Sequence, residues 1–204
     1  ELLGKIDPAK NDQFTIIPTK YCMRSGMYLR NEVLIAFEEL HKNAVDEGIN
    51  LVVISATRSF DHQKSIWERK WGRTKYMGWQ DFDKAQDILK YSSMPGTSRH
   101  HWGTDLDFNS LENSYFETEE GAKVYDFLER CGGELGFVQV YTSKEEGRTG
   151  YEEEKWHWSY MPVSSVLLDS YNDLISSEDI KGFEGSSSAD SIKIIDHFVN
   201  GIAK

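Results

Sequence analysis

Four side chains able to bind a metal fall within eight positions of one stretch, "HHWGTDLD". They are His100, His101, Asp105 and Asp107, and a further histidine, His157, follows much later between two tryptophans. Two imidazoles and one carboxylate form a common catalytic zinc set, because three protein ligands leave one coordination position open for water. The pattern therefore predicts a metal site whose ligands come from distant parts of the chain.

Alternating side chains decide which of these residues can meet. A strand predicted at 104–108 places Asp105 and Asp107 on a polar face, opposite its apolar side chains. A second strand, predicted at 155–160, places His157 on the face opposite its tryptophans. Two strands with such faces would present a carboxylate and an imidazole to the same metal.

The remaining parts of a hydrolytic site lie next to these strands. His100 ends the loop that leads into the first strand and could supply the third ligand. Zinc lowers the pKa of a bound water, but a base must still accept the proton as the water attacks. Glu154, three residues before His157, is well placed for that role. His101 has no ligand role at this spacing, and we expect it to be exposed or to form part of a wall.

Three segments resemble the zinc D-alanyl-D-alanine peptidases, the group of vancomycin-resistance carboxypeptidases and dipeptidases. The family signature S-x-H-x-x-G-x-A-x-D is matched at Ser98, His100, Gly103 and Asp107. The family's second signature, Glu-x-Trp-His, is matched by "EKWH", and "TRSFDHQKSIW" resembles its upstream Arg-Ser…Gln segment. The segments occur in the family's order, and the resemblance covers about residues 51–160.

The resemblance implies a zinc enzyme with a specific division of roles. Its metal ligands would be His100, Asp107 and His157, and Glu154 would be the catalytic base that later gives its proton to the leaving amine. Arg58 would bind and polarise the substrate's carbonyl or terminal carboxylate, since a guanidinium is a fixed, always charged fork. Two further residues would donate or accept hydrogen bonds beside it: Gln63 and Ser98.

Two positions depart from the family pattern. Asp105 stands where family members usually carry Ala, and Lys155 stands where Pro is common. Asp105 could orient a ligand histidine as a hydrogen-bond acceptor, or it could face solvent at the edge of the strand. Trp102, next to the predicted ligands, could line the cleft.

The implied activity is hydrolysis of the terminal D-Ala-D-Ala bond of peptidoglycan stem peptides by a zinc D,D-carboxypeptidase. The same machinery would serve an L,D-carboxypeptidase, a D,D-dipeptidase or an endopeptidase on the same substrate class. A zinc-bearing module without catalysis, as in hedgehog-type domains, is the alternative of another class. Glu154 and Arg58 argue against that module.

Bulk properties limit the partners and the compartment. The chain has 204 residues and a net charge of −11, which disfavours nucleic acid as the main partner. No apolar run approaches the ~20 residues that span a bilayer, so we expect no stable membrane insertion.

The sequence begins at Glu1, and we expect a preceding export signal and action in the periplasm or cell envelope. Cys22 and Cys131 could form a disulfide or remain two thiols. The oligomeric state is left open.

Periodicity predicts an α+β fold, with a small antiparallel sheet that carries the zinc site and helices packed around it. The helical spacing at residues 28–49 ends at Gly48, and "LVVISA" follows as a buried strand. We expect one domain over residues 1–204, with a catalytic core at about 28–162 and a C-terminal helical extension at about 163–204. Helices and strands are further predicted at 57–71, 81–91, 118–132, 137–141 and 163–175.

Overall fold

The computed structural model describes residues 1–203, apart from the side chain of Glu146. Its strands and α-helices are interspersed along the chain rather than forming separate blocks. The strands are β1 (Phe14–Ile16), β2 (Tyr28–Arg30), β3 (Val53–Ser55), β4 (Asp105–Phe108), β5 (Phe137–Gln139) and β6 (His157–Tyr160). The helices are α1 (Asn31–Asp46), α2 (Phe60–Trp71), α3 (Asp81–Ile88), α4 (Glu119–Cys131), α5 (Met161–Leu174) and α6 (Ala189–Ile192).

The main sheet is antiparallel, with the strand order β3-β4-β6-β5. The two central strands are the two that the sequence predicts to carry metal ligands. Their register places Asp107 directly opposite His157 and Asp105 directly opposite Ser159. The predicted α+β class with a small antiparallel sheet is therefore confirmed.

Apolar side chains cover one face of this sheet. Leu106, Phe108 and Trp158 on the strands belong to one buried cluster with Phe37 of α1 and Phe127 of α4. Burial of such side chains is worth about 1.5–3 kcal/mol each, so this face holds the sheet in place. The opposite face is left to the polar residues of β4 and β6.

A second buried cluster surrounds α2. Trp67 and Trp71 of this helix pack with residues that follow α5, among them Phe183. The Trp67 indole also donates a 2.8 Å hydrogen bond to the Glu184 carbonyl. The C-terminal residues thus pack on the back of the helix that begins next to Arg58.

The start of α1 differs from the prediction. Leu29 fits the helical spacing but lies in β2, which pairs antiparallel with β1. Leu29 is completely buried, and its apolar character suits a strand as well as a helix. The hairpin of β1 and β2 was not predicted because its strands are only three residues long.

Other local predictions hold closely. The Ser59 side chain caps α2 by accepting from the His62 amide, and Thr118 caps α4 in the same way through the Gly121 amide. Cys22 and Cys131 are free thiols in the structure. Within residues 1–203, no helix is both long enough and apolar enough to cross a bilayer.

Candidate metal centre

The polar face of the central strands brings two predicted ligands together. Asp107 of β4 and His157 of β6 are cross-strand partners, and Asp107 Oδ1 lies 3.1 Å from His157 Nδ1. Both side chains are almost completely buried. This pairing follows from the strand alternation, because side chains directly opposite on one face of an antiparallel pair are close neighbours.

His100 reaches the same point from a short 3-10 helix, Arg99–Trp102. Gly103 ends this helix with a φ of 74°, a left-handed conformation that glycine adopts without strain. The His100 carbonyl accepts a 3.0 Å hydrogen bond from the Arg58 amide. Its ring Nδ1 donates to the Ala56 carbonyl at 2.8 Å, which directs Nε2 toward Asp107.

The three residues fit a zinc ion. One donor atom from each of His100, Asp107 and His157 lies within 4.8 Å of the others, and all three residues are buried. His100 Nε2 is buried, has no hydrogen-bond partner in the part of the chain that the structure describes, and lies 3.3 Å from Asp107 Oδ2. A buried polar atom with no partner is costly, and a metal in this position would satisfy it. Each histidine also has its other nitrogen engaged, as metal-binding histidines almost always do.

Asp105 binds the other ring nitrogen of His157, Nε2. Its Oδ2 accepts from His157 Nε2 at 2.8 Å and from Arg99 Nε at 3.0 Å. Its Oδ1 accepts from the hydroxyls of Thr104 at 2.6 Å and Ser159 at 3.0 Å. Asp105 has no exposed surface. Of the two roles considered from the sequence, the structure excludes a solvent-facing carboxylate and places Asp105 behind His157.

Neighbouring charges keep both aspartates ionised. Burial favours the neutral acid, but the Arg99 guanidinium and the His157 ring hold the pKa of Asp105 below its usual range. At Asp107 burial acts the same way, and His100 with His157 again holds the pKa below its usual range. The site therefore presents carboxylates rather than carboxylic acids, which is the form that binds a metal.

Glu154 lies at the edge of the donor set. Its Oε2 is 3.8 Å from His157 Nδ1, and the residue is 8 % exposed. Burial raises the pKa of Glu154 to about 7, with Asp107 acting in the same direction and His157 against it. A carboxyl with a pKa near neutrality can both accept and return a proton, as a general base requires.

The donor set opens into a cleft of ≈ 590 Å³ between α2 and the loop at 111–114. Arg58 and Ser98 line this cleft together with the predicted ligands and Glu154. Arg58 Nε and Ser98 Oγ are buried and have no hydrogen-bond partner within the described residues. Arg58 Nε and Ser98 Oγ can therefore donate hydrogen bonds to a ligand bound beside the donor set.

Gln63 does not line the cleft. It is completely buried, and its Nε2 donates a 2.8 Å hydrogen bond to the Ser93 carbonyl. Ser93 itself lies on the cleft wall. Gln63 Oε1 is buried and has no hydrogen-bond partner within the described residues. Gln63 thus supports the cleft wall through Ser93, and its role in substrate binding stays a prediction.

Two neighbours of His100 also differ from expectation. His101 is buried, not exposed, and does not line the cleft. Its Nδ1 donates to the Arg58 carbonyl at 2.7 Å and its Nε2 accepts from the Gly96 amide at 3.0 Å, so it joins two loops. Burial lowers the pKa of His101 to about 3 and keeps the ring neutral. Trp102 is a core residue whose indole donates to the Leu2 carbonyl, and it does not line the cleft.

Several cleft residues were missed from the sequence, among them Tyr141, Arg69 and Lys70. The Tyr141 ring lies 4.6 Å from the His157 ring, centroid to centroid, and covers the site from the end of β5. Arg69 and Lys70, at the end of α2, also line the cleft. Arg69 and Lys70 follow Ile66 by three and four residues, so these three side chains lie on one face of α2. This spacing was the sequence signal that could have identified them.

A profile of the VanY D-alanyl-D-alanine carboxypeptidase family matches residues 26–163, about two thirds of the chain. This match includes every element that forms the cleft and the donor set. The chain belongs to the VanY D-alanyl-D-alanine carboxypeptidase family. The resemblance noted from the sequence is thereby confirmed.

Individual relatives of this VanY-family chain are distant. A D-alanyl-D-alanine carboxypeptidase of Enterococcus faecalis is 26 % identical over 129 residues, which are 63 % of this chain and 47 % of the relative. The chain spans about half the length of the curated relatives it matches.

Two solved structures share its fold. VanYB in complex with D-alanine-D-alanine superposes with a TM-score of 0.60 at 22 % identity and covers 84 % of this chain and 90 % of its own. The LdcB LD-carboxypeptidase has a TM-score of 0.60 at 23 % identity and covers 80 % of this chain and 75 % of its own. At these identities the likeness establishes the fold alone.

Proposed function

We propose that this protein is a zinc D,D-carboxypeptidase that removes the terminal D-alanine from peptidoglycan stem peptides. The observation that carries the proposal is the convergence of His100, Asp107 and His157 at the floor of a cleft, with Glu154 beside them. The family match and the D-Ala-D-Ala complex of its structural neighbour VanYB support the choice of substrate.

In this proposal the zinc ligands are His100 Nε2, Asp107 and His157 Nδ1. When bound there, zinc supplies Lewis-acid chemistry toward the scissile carbonyl and its attacking water. The two histidines are held in the matching tautomers by the Ala56 carbonyl and the Asp105 carboxylate. These hydrogen bonds orient the donor nitrogens of both histidines toward the proposed metal position.

Glu154 takes the proton from the attacking water and delivers it to the nitrogen of the leaving D-alanine. Its pKa of about 7, raised by burial, suits both transfers at neutral pH. Its position 3.8 Å from His157 keeps it within the reach of a water at the donor set.

Arg58 and Ser98 bind the substrate. The buried Arg58 Nε and Ser98 hydroxyl have no hydrogen-bond partner among the described residues, so a carboxylate or a developing oxyanion would satisfy both. Arg58 is held by two backbone links: its amide donates to His100 and its carbonyl accepts from His101. The substrate-binding group is therefore tied to the segment that carries a ligand.

The products of defined muropeptides test the reaction. Zinc-loaded protein incubated with a pentapeptide substrate should release one D-alanine per molecule and leave the matching tetrapeptide intact, as read by mass spectrometry. Release of the D-Ala-D-Ala dipeptide, or cleavage of cross-linked dimers alone, would instead indicate a dipeptidase or an endopeptidase.

A second candidate on the same machinery is an L,D-carboxypeptidase, which the fold shared with LdcB favours. It would shorten the tetrapeptide and leave the pentapeptide intact in the same assay. For either activity we propose action outside the cytoplasm, where peptidoglycan lies, with residues 28–162 as the catalytic core.

A further inference from the structure

The wall of the cleft formed by α2 carries positive charge that the proposed reaction does not use. Arg69 and Lys70 lie on the same helix face as Ile66 and line the cleft together with Arg58. The chain as a whole is acidic, with a net charge of −11, so a cationic wall here runs against its composition.

These cations have no acidic partner of their own. Among the described side chains, neither Arg69 nor Lys70 forms a salt bridge, whereas Lys64 on the same helix pairs with Glu68 at 3.8 Å. Burial lowers the pKa of Lys70 to about 8, and the charges of Arg73, Arg58 and Arg69 act in the same direction. Glu154 opposes this shift, but the mechanism engages it elsewhere. Several cations held together without a counter-ion favour the binding of an anion.

The position of this wall indicates which part of a substrate would meet it. Lys70 lies roughly 15 Å along the axis of α2 from the first turn of the helix, at a rise of 1.5 Å per residue. The long, flexible lysine side chain can bring its ammonium group back toward the donor set. An extended peptide advances about 3.3 Å per residue, so the wall lies within a few residues of the scissile bond. The leaving D-alanine has only one carboxylate, which Arg58 and Ser98 bind. A second carboxylate must therefore come from upstream of the scissile bond.

We propose that Arg69 and Lys70 form a subsite for a second carboxylate of the substrate, so that the enzyme prefers stem peptides with free upstream carboxylates over amidated ones. This inference rests on the proposed function, because it assumes a stem peptide in the cleft. Glu112 also lines the cleft and is exposed, and its negative charge would disfavour an anion beside it.

Matched substrate pairs test this subsite. One pair of acetylated pentapeptides differs only by a free or amidated carboxylate on a diaminopimelate at the third residue. The other pair differs in the same way at the γ-linked D-glutamate. Comparison of kcat/KM within each pair, on zinc-loaded protein, shows whether a carboxylate is preferred and which source supplies it.

Three variants assign the preference to residues. Lys70→Gln and Arg69→Gln should each reduce kcat/KM for the preferred acidic substrate by about tenfold, mainly through KM, and leave the amidated substrate unchanged. Lys70→Arg should retain the preference. Lys64→Gln removes the same charge from the same helix at a position that does not line the cleft, and it should change nothing.

Failure of this inference and failure of the proposed function give different results. If both members of each pair are cleaved equally by the wild type, or if Lys64→Gln acts like Lys70→Gln, the subsite does not exist. If no peptide is cleaved, the proposed function fails, and calorimetric dissociation constants of the same peptides then decide the subsite. Tighter binding of the acidic member by the wild type, lost in Lys70→Gln, would uphold it, and equal binding would overturn it.

Discussion

Removal of the Asp105 carboxylate should change two properties of the protein, the stability of its fold and its affinity for zinc. Asp105 accepts four hydrogen bonds, two on each oxygen, and none of its surface is exposed. One donor, Arg99, is a buried cation that lies over the Trp102 ring, and another, His157, is a proposed zinc ligand. Asp105→Ala therefore affects both the stability of the fold and the affinity for zinc.

The expected magnitudes follow from these contacts. Loss of one partner of a buried ion pair costs about 3–5 kcal/mol, because the other charge is left buried and uncompensated. Loss of the acceptor behind a metal-binding histidine typically lowers metal affinity by about 10–100-fold. Asp105→Ala should thus lower the free energy of unfolding of the metal-free protein by about 3–5 kcal/mol and raise the zinc dissociation constant by at least about tenfold.

A double variant distinguishes the two effects. Arg99→Met with Asp105→Ala removes both charges, so most of the lost stability should return, while zinc affinity stays low because His157 Nε2 still lacks its acceptor. Stability is measured by denaturant unfolding in the presence of a chelator, and affinity by competition with a chromophoric zinc chelator. Wild-type zinc affinity in the folded double variant would refute the role assigned to Asp105. Unrecovered stability would refute the assignment of the cost to Arg99.

Four further perturbations have definite expected results. Glu154→Gln should lower kcat by at least about 10²-fold and leave stoichiometric zinc binding unchanged, as measured by turnover and metal analysis, and a wild-type rate would exclude Glu154 as the base. Removal of zinc by a chelator should lower the melting temperature, since ligand at 100 times its dissociation constant stabilises the fold by about 2.7 kcal/mol. His100→Ala should abolish that difference between metal-free and zinc-loaded protein, and an undiminished difference would place the metal elsewhere. Gly103→Ala should destabilise by at least about 1 kcal/mol in thermal unfolding, because its φ of 74° is left-handed and a Cβ would meet the Phe14 ring. An unchanged melting temperature would show that this turn tolerates a side chain.

Strand alternation made the centre of the site predictable from the sequence. In β4 and β6, polar and apolar side chains alternate strictly, so Asp107 and His157 could be assigned to one face before their pairing was known. The caps at Ser59 and Thr118 were equally local signals, since each is a short polar side chain directly before a helix. Predictions of this kind need no knowledge of distant contacts.

Features that depend on distant contacts were not predictable in the same way. The role of Asp105 remained open because its partners, Arg99 and Ser159, meet it only after the sheet has formed. His101 reads as a polar loop residue, yet the loops at Gly96 and Arg58 enclose it. The β1–β2 hairpin was obscured because Leu29 satisfies both a helical and a strand pattern.

Reconstitution with zinc tests the central claim most directly. Metal-free protein is titrated with zinc while release of D-alanine from a pentapeptide muropeptide is followed. The rate should rise in proportion to zinc, reach a plateau at one equivalent, and stay near zero for His157→Ala at the same zinc concentrations. Full activity in the metal-free protein, or an equal rise in His157→Ala, would contradict the assignment of catalysis to a zinc ion held by His100, Asp107 and His157.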